Sequence, residues 1–252
     1  MAETRDLETA AQLQRMLLPP SPYQWGGWNA AHHFQPAGAV SGDYLDLVPH
    51  ADRLYFMLGD VSGKGVAAAL LMAQLHAMFR TLIPFDMSLE DLMTRASALL
   101  CASSLPAQYA TLVCGYLEPD GTAKIVNAGH PAPLAIRASD QVRVEATGMP
   151  IGLFCKSEFS STGLTLAPGD SLLLFSDGLT EATNEQGEEY GIRVQHISAL
   201  SSSIRPADQV AQVVGDNASF RGNVANSDDL SVLSIRRIHP DDDSDPVRQR
   251  SS

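Results

Sequence analysis

Residues 54–58 are an unbroken apolar run, and residues 66–83 form a longer stretch rich in Ala, Leu and Met. The first predicts a buried strand and the second a helix. Between them, Gly59-Asp60-Val61-Ser62-Gly63-Lys64-Gly65 puts a carboxylate where the strand gives way to a glycine-flexible turn. Glycine there lets backbone and ligand approach closely while the sheet holds the acid from behind. An Asp before a helix is commonly a cap, but Ser62 stands nearer and is the more natural one. The Gly-Lys-Gly lacks the preceding Gly and following Ser or Thr of a nucleotide phosphate loop.

The same patterning organises the rest of the chain. Residues 3–18 predict a helix with Leu7, Ala10, Ala11, Gln14, Leu17 and Leu18 on one face, stopped by Pro19-Pro20. That narrow stripe suits a linker helix, a dimer contact or a helix packed on its own domain. Strands are expected at 28–34, 43–49, 54–58, 109–117, 123–127, 133–137, 141–145, 159–166, 172–175 and 230–235, several joined by Gly-, Pro- or Asp-bearing hairpin turns. Helices are expected from Ser88, a capping-box start, to about 103, and at 191–200 and 206–220. Strands linked mainly by hairpins, with helices inserted in pairs, describe an α+β fold: two stacked antiparallel sheets flanked by helices. The domain divisions expected are a linker or dimerisation helix at 1–20, one domain at 21–239 and a disordered acidic tail at 240–252.

Composition narrows the partners. The formal net charge of −12 over 252 residues argues against nucleic acid and against anionic membrane. Cys101, Cys114 and Cys155 are odd in number and widely spaced in apolar contexts, so three reduced core thiols are expected. The start of the chain has no signal-peptide pattern and its apolar runs read as interrupted short of a membrane span. A cytoplasmic protein is the expectation.

Four acids, Asp43, Asp60, Asp177 and Asp228, sit at expected strand ends beside Gly or Ser. Each alone has a plain explanation as a turn or cap residue. If they converge, each close pair repels by roughly 3 kcal/mol at ~5 Å and an effective dielectric near 20, which protons or metal ions must offset. An all-oxygen donor set without His or Cys at ligand spacing suits Mg²⁺ or Mn²⁺ rather than zinc. Two such ions ~3.5–4 Å apart activate water and clamp phosphate oxygens. No nucleophilic Ser or Cys triad competes, and His130, in a Gly- and Pro-rich loop, is expected to be structural.

The ordered series Ser41-Gly42-Asp43-Tyr44, Gly59 to Gly65, Asn127-Ala128-Gly129-His130-Pro131, Pro168-Gly169-Asp170, Ser176-Asp177-Gly178-Leu179-Thr180-Glu181 and Asp228-Asp229-Leu230-Ser231-Val232 resembles the PPM (type 2C) metal-dependent protein serine/threonine phosphatases. Within them it is most similar to the bacterial sporulation stage II protein E branch, which includes stress-response phosphatases acting on sigma-factor regulators. The resemblance spans roughly residues 10–238. It implies that Asp60 bridges two Mn²⁺ or Mg²⁺ ions, that Asp43 and the Val61 carbonyl ligate one of them, and that Asp177 and Asp228 hold the pair from the opposite side. It further implies a phosphorylated regulatory protein, of anti-sigma-factor-antagonist type, as substrate, and an upstream sensor or a homodimer through the N-terminal helix. Ser41 and Lys64 stand where members usually have Gly and often His, and Ser62 stands where eukaryotic members place a proposed general-acid His. Two other readings remain: a catalytically weak regulatory module of the same fold, and a hydrolase of small phosphate esters.

Overall fold

The computed structural model of the chain describes residues 2–105, 107–191, 193 and 204–238. Its strands form two antiparallel sheets. In chain order they are β1 (Tyr23–Trp25), β2 (Trp28–Gln35), β3 (Asp43–His50), β4 (Arg53–Val61), β5 (Ala110–Leu117), β6 (Thr122–Ala128), β7 (Leu134–Ile136), β8 (Gln141–Arg143), β9 (Thr162–Thr165), β10 (Ser171–Phe175) and β11 (Leu230–Arg237). One sheet runs β1-β2-β11-β10-β7-β8 and the other β3-β4-β5-β6-β9. The helices are α1 (Ala2–Leu17), α2 (Val66–Leu82), α3 (Leu89–Ser103), the single turn α4 (Asp177–Thr180) and α5 (Pro206–Arg221).

The central strands are apolar on both faces because both faces are covered. Along β4, Leu54, Phe56 and Leu58 enter the core between the sheets, where they meet Leu172, Leu174, Leu233 and Ile235. Tyr55, Met57 and Val61 point the other way, into a layer with α2 and α3. On the far side, Leu173, Phe175 and Val232 pack with Val210 and Val213 of α5. Alternate residues of one strand thus serve two different layers, which period-two geometry demands. The result is the expected four-layer arrangement of helices, sheet, sheet and helices.

Ser88 caps α3 as its sequence predicts: its Oγ accepts the Asp91 N–H at 3.1 Å and donates to Asp91 Oδ2 at 2.7 Å. Ser62 does not cap α2. The N-cap is Gly65, at φ 73°, with no side-chain bond, and the Ser62 hydroxyl instead accepts the Tyr109 N–H at 3.0 Å. The strand expected at 159–166 is shorter, and Phe159 packs into the α2 and α3 layer. The helix expected at 191–200 and the tail at 240–252 lie outside the described residues, apart from Gly191 and Arg193.

Two further expectations are corrected. Cys101, at the end of α3, and Cys155 form a disulfide with Cα atoms 5.3 Å apart, and only Cys114 is a free, buried thiol among the described residues. A pairing across 54 positions depends on where the chain folds back, which spacing does not encode. The segment Val66–Phe85, read as too interrupted for a membrane span, is long and apolar enough by composition. Its apolar residues Ala68, Leu71, Met72, Leu75 and Phe79 are buried in the layer against β3 and β4.

Candidate active site

Asp43 opens β3, and Asp60 lies directly opposite it near the end of β4. Residues facing each other across an antiparallel ladder project to the same side, so the pairing sets two carboxylates side by side, where like charges destabilise the sheet. Asp43 is fully buried. Its Oδ2 accepts the Ser231 hydroxyl at 2.5 Å and its N–H donates to Ser41 Oγ at 3.0 Å. Its Oδ1 is buried without any partner.

The other two acids arrive from the second sheet. Asp177 is the first residue of α4, separated from β10 by Ser176 alone, and Asp228 lies just before β11. These two strands are neighbours, so their adjoining ends deliver both acids to the same edge. Close approach depends on Gly178, where a Cβ would collide with the Asp229 backbone. Gly42 plays the same part beside the first pair: a Cβ there would stand 3.1 Å from the Val61 carbonyl oxygen and 3.3 Å from Asp60 Oδ1.

Electrostatics agrees with this convergence. Burial, followed by the charges of Asp177, Asp228 and Asp229, pushes the Asp60 carboxyl up to about 7. Burial and then Asp60 hold Asp43 well above the ordinary carboxylate range. Burial, Glu181 and Asp228 raise Asp177. The cation facing this set is Lys64, whose ammonium bonds Asp228 Oδ2 at 2.9 Å and the Ser227 carbonyl at 3.0 Å. A cavity of about 520 Å³ opens beside it, lined by Lys64, Val66, Asn226, Asp228, Asp229 and Leu7 of α1.

Two residues that sequence reasoning did not single out shape the loop before Asp43. Asp229 accepts the N–H of Ala37 at 2.7 Å and of Gly42 at 2.9 Å, one on each carboxylate oxygen. Gln14 of α1 bonds both backbone groups of Ser41. A polar residue inside the apolar stripe of α1 was the available signal for Gln14; nothing local marks Asp229 off from Asp228. His130, expected from the sequence to be structural, is buried. Asn127 holds its backbone, Thr111 bonds its Nδ1 at 2.9 Å, and burial pushes its imidazole down to about 3.

These donors fit small divalent cations. They are oxygens only, they include an unpartnered buried Asp43 Oδ1, and the carboxyls of Asp43, Asp60 and Asp177 are raised by burial and then by neighbouring acids, a penalty that a bound cation relieves. Among the described residues, no three His, Cys, Asp or Glu side chains already close around a single point.

The chain resembles known proteins in sequence and in fold. The family model described as stage II sporulation protein E (SpoIIE) matches residues 50–238. Protein IcfG of Synechocystis is 27% identical over 266 residues, covering 92% of this chain and 41% of that protein. Phosphoserine phosphatase RsbP of Bacillus subtilis is 30% identical over 190 residues, covering 71% of this chain and 46% of that protein. The chain thus spans less than half the length of these two relatives. Among solved structures, the SiaA-PP2C domain of Pseudomonas aeruginosa superposes with a TM-score of 0.80 at 20% identity, covering 93% of this chain and 96% of that one. The RsbU and RsbW domains of Rv1364c from Mycobacterium tuberculosis give 0.73 at 28% identity, covering 88% and 62%.

Proposed function

The chain belongs to the SpoIIE family of PP2C-type phosphatases, and from that premise we propose that it removes phosphate from phosphoserine or phosphothreonine of a small regulatory protein of anti-sigma-factor-antagonist type. The observation that carries this reading is the in-register pair Asp43 and Asp60, with Asp177 and Asp228 brought to the same edge by the second sheet. That RsbP and RsbU are named phosphoserine phosphatases supports the same reaction class.

In this reading Asp43, Asp60, the Val61 carbonyl, Asp177 and Asp228 would hold two Mn²⁺ or Mg²⁺ ions. The ions supply, when bound, an acidified water and positive charge against the phosphate oxygens. The chain's own part is to fix the carboxylates before substrate arrives. Asp43 is oriented by Ser231, and Gly42 leaves room at the Val61 carbonyl. Preorganised charge of this kind needs no reorganisation as the reaction proceeds.

Lys64, four residues after Asp60 between two glycines, brings a positive charge to the rim where a phosphoprotein enters. The cavity beside it receives the residues flanking the phosphoserine, with both polar atoms of the Asn226 amide buried and unpartnered. A cytoplasmic setting and an upstream sensor or a partner copy acting through α1 complete the proposal.

The test is phosphate release from a phosphorylated antagonist protein and from p-nitrophenyl phosphate, with Mn²⁺ and with EDTA. Metal-dependent release from the phosphoprotein is expected. Turnover that persists in EDTA overturns the two-ion reading, and release only from the small ester overturns the protein-substrate reading.

A further inference from the structure

We propose that Gln14 of α1 is a positioning residue for the Asp43 carboxylate, acting through a two-bond amide clamp on the backbone of Ser41; the proposal rests on Asp43 being a metal ligand. The Gln14 side chain is only 6% exposed. Its Nε2 donates to the Ser41 carbonyl at 2.7 Å, and its Oε1 accepts the Ser41 N–H at 2.9 Å. One amide therefore satisfies both backbone groups of a fully buried residue 27 positions away. Those groups have no ladder partner, because residues 36–42 run without helix or strand.

The clamp is one hydrogen bond and two residues from Asp43. Ser41 Oγ accepts the Asp43 N–H at 3.0 Å, so the residue that Gln14 grips in turn orients the first residue of β3. On its other side the same loop is held by Asp229, at Ala37 and Gly42. The loop thus hangs between α1 and the approach to β11, and Asp43 Oδ1, which has no partner of its own, takes its place from that suspension.

Packing alone does not account for the residue. α1 is anchored by Leu17, against the α2 layer, and by the following Leu18, against the core between the sheets. An apolar side chain at 14 would serve such an anchor equally well. It would leave the N–H and C=O of Ser41 buried and unpaired, which the loop relieves by moving. Asp43 moves with it, and a metal site loses affinity quickly when a ligand shifts by a fraction of an ångström.

The test compares Mn²⁺ binding to the full chain, to Gln14→Met and to Leu17→Ala, with free Mn²⁺ followed by its electron paramagnetic resonance signal. Gln14→Met keeps the length and unbranched shape of the side chain and removes the clamp; Leu17→Ala loosens α1 without touching Ser41. The expected result is roughly ten-fold weaker Mn²⁺ binding in Gln14→Met and a change under about two-fold in Leu17→Ala. Unchanged affinity in Gln14→Met, or equal weakening in both variants, overturns the proposal while leaving the metal centre standing. A wild-type chain that binds no Mn²⁺ overturns both. If Gln14→Met does not fold, hydrogen exchange of the wild-type chain decides: the Ser41 amide is expected to exchange as slowly as those of β4, and loop-like exchange overturns the clamp.

Discussion

Asp43 and Asp60 face each other across the β3–β4 ladder, and the only carboxylate oxygen of Asp43 with a hydrogen-bond partner is the one that Ser231 of the opposite sheet reaches. A like-charged pair placed there costs stability in the free protein, so the arrangement is held by the surrounding fold, and a bound cation would relieve that cost.

Replacing Asp60 by Asn should therefore separate stability from function. The metal-free variant is expected to melt at a higher temperature than the metal-free wild type, while phosphatase activity falls by about 10²–10³-fold or more. Paired melting curves in EDTA and initial rates in Mn²⁺ check both halves. Wild-type activity in Asp60→Asn would remove this residue from the chemistry.

The metal-free protein should also lose stability as pH rises. Burial and neighbouring acids raise Asp60 to about 7, from an unfolded value near 3.9. The folded state thus binds more protons between those values. Its stability is fullest below the unfolded pKa and is lost on passing through the folded one, by up to ~4 kcal/mol for this group. Melting temperature in EDTA is expected to fall between pH 4.5 and 7.5, and the fall should flatten in Asp60→Asn.

Lys64→Met should bind Mn²⁺ more tightly, by roughly three- to ten-fold. The exposed ammonium holds Asp228 in the free chain and repels an incoming cation, and both effects vanish with the charge. Lys64→Arg should behave as wild type in calorimetric titration.

Arg80 fixes α2 to β3. Its guanidinium takes both oxygens of Asp46, at 2.8 and 2.9 Å, and Asp46 is fully buried. Arg80→Met leaves that carboxylate the Leu47 N–H at 2.9 Å and the His76 imidazole at 3.6 Å, and is expected to cost about 2–3 kcal/mol, reduced from the usual range for a broken buried pair by those neighbours and because Arg80 is half exposed. Denaturant titration at pH 7 measures it.

Much of the fold was legible because period-two patterning is local: the β3–β4 hairpin, its register partner Asp60 and the capped start of α3 all follow from adjacent residues. The four acids were legible as strand-end carboxylates beside small residues. What escaped depends on distant chain segments meeting. Asp229 earns its role only because the loop of Ala37 and Gly42 comes to lie against it, and Cys101 finds Cys155 only after α3 has packed. Ser62 was misread for the opposite reason: its cap geometry was locally available, but the Tyr109 backbone, just before β5, offered a better-placed partner.

The grip of Asp229 on Ala37 and Gly42 joins one of the last-synthesised parts of the domain to one of the first. The loop ahead of Asp43 therefore gains its fastening on that side only once a segment 187 positions beyond Gly42 has folded back onto it.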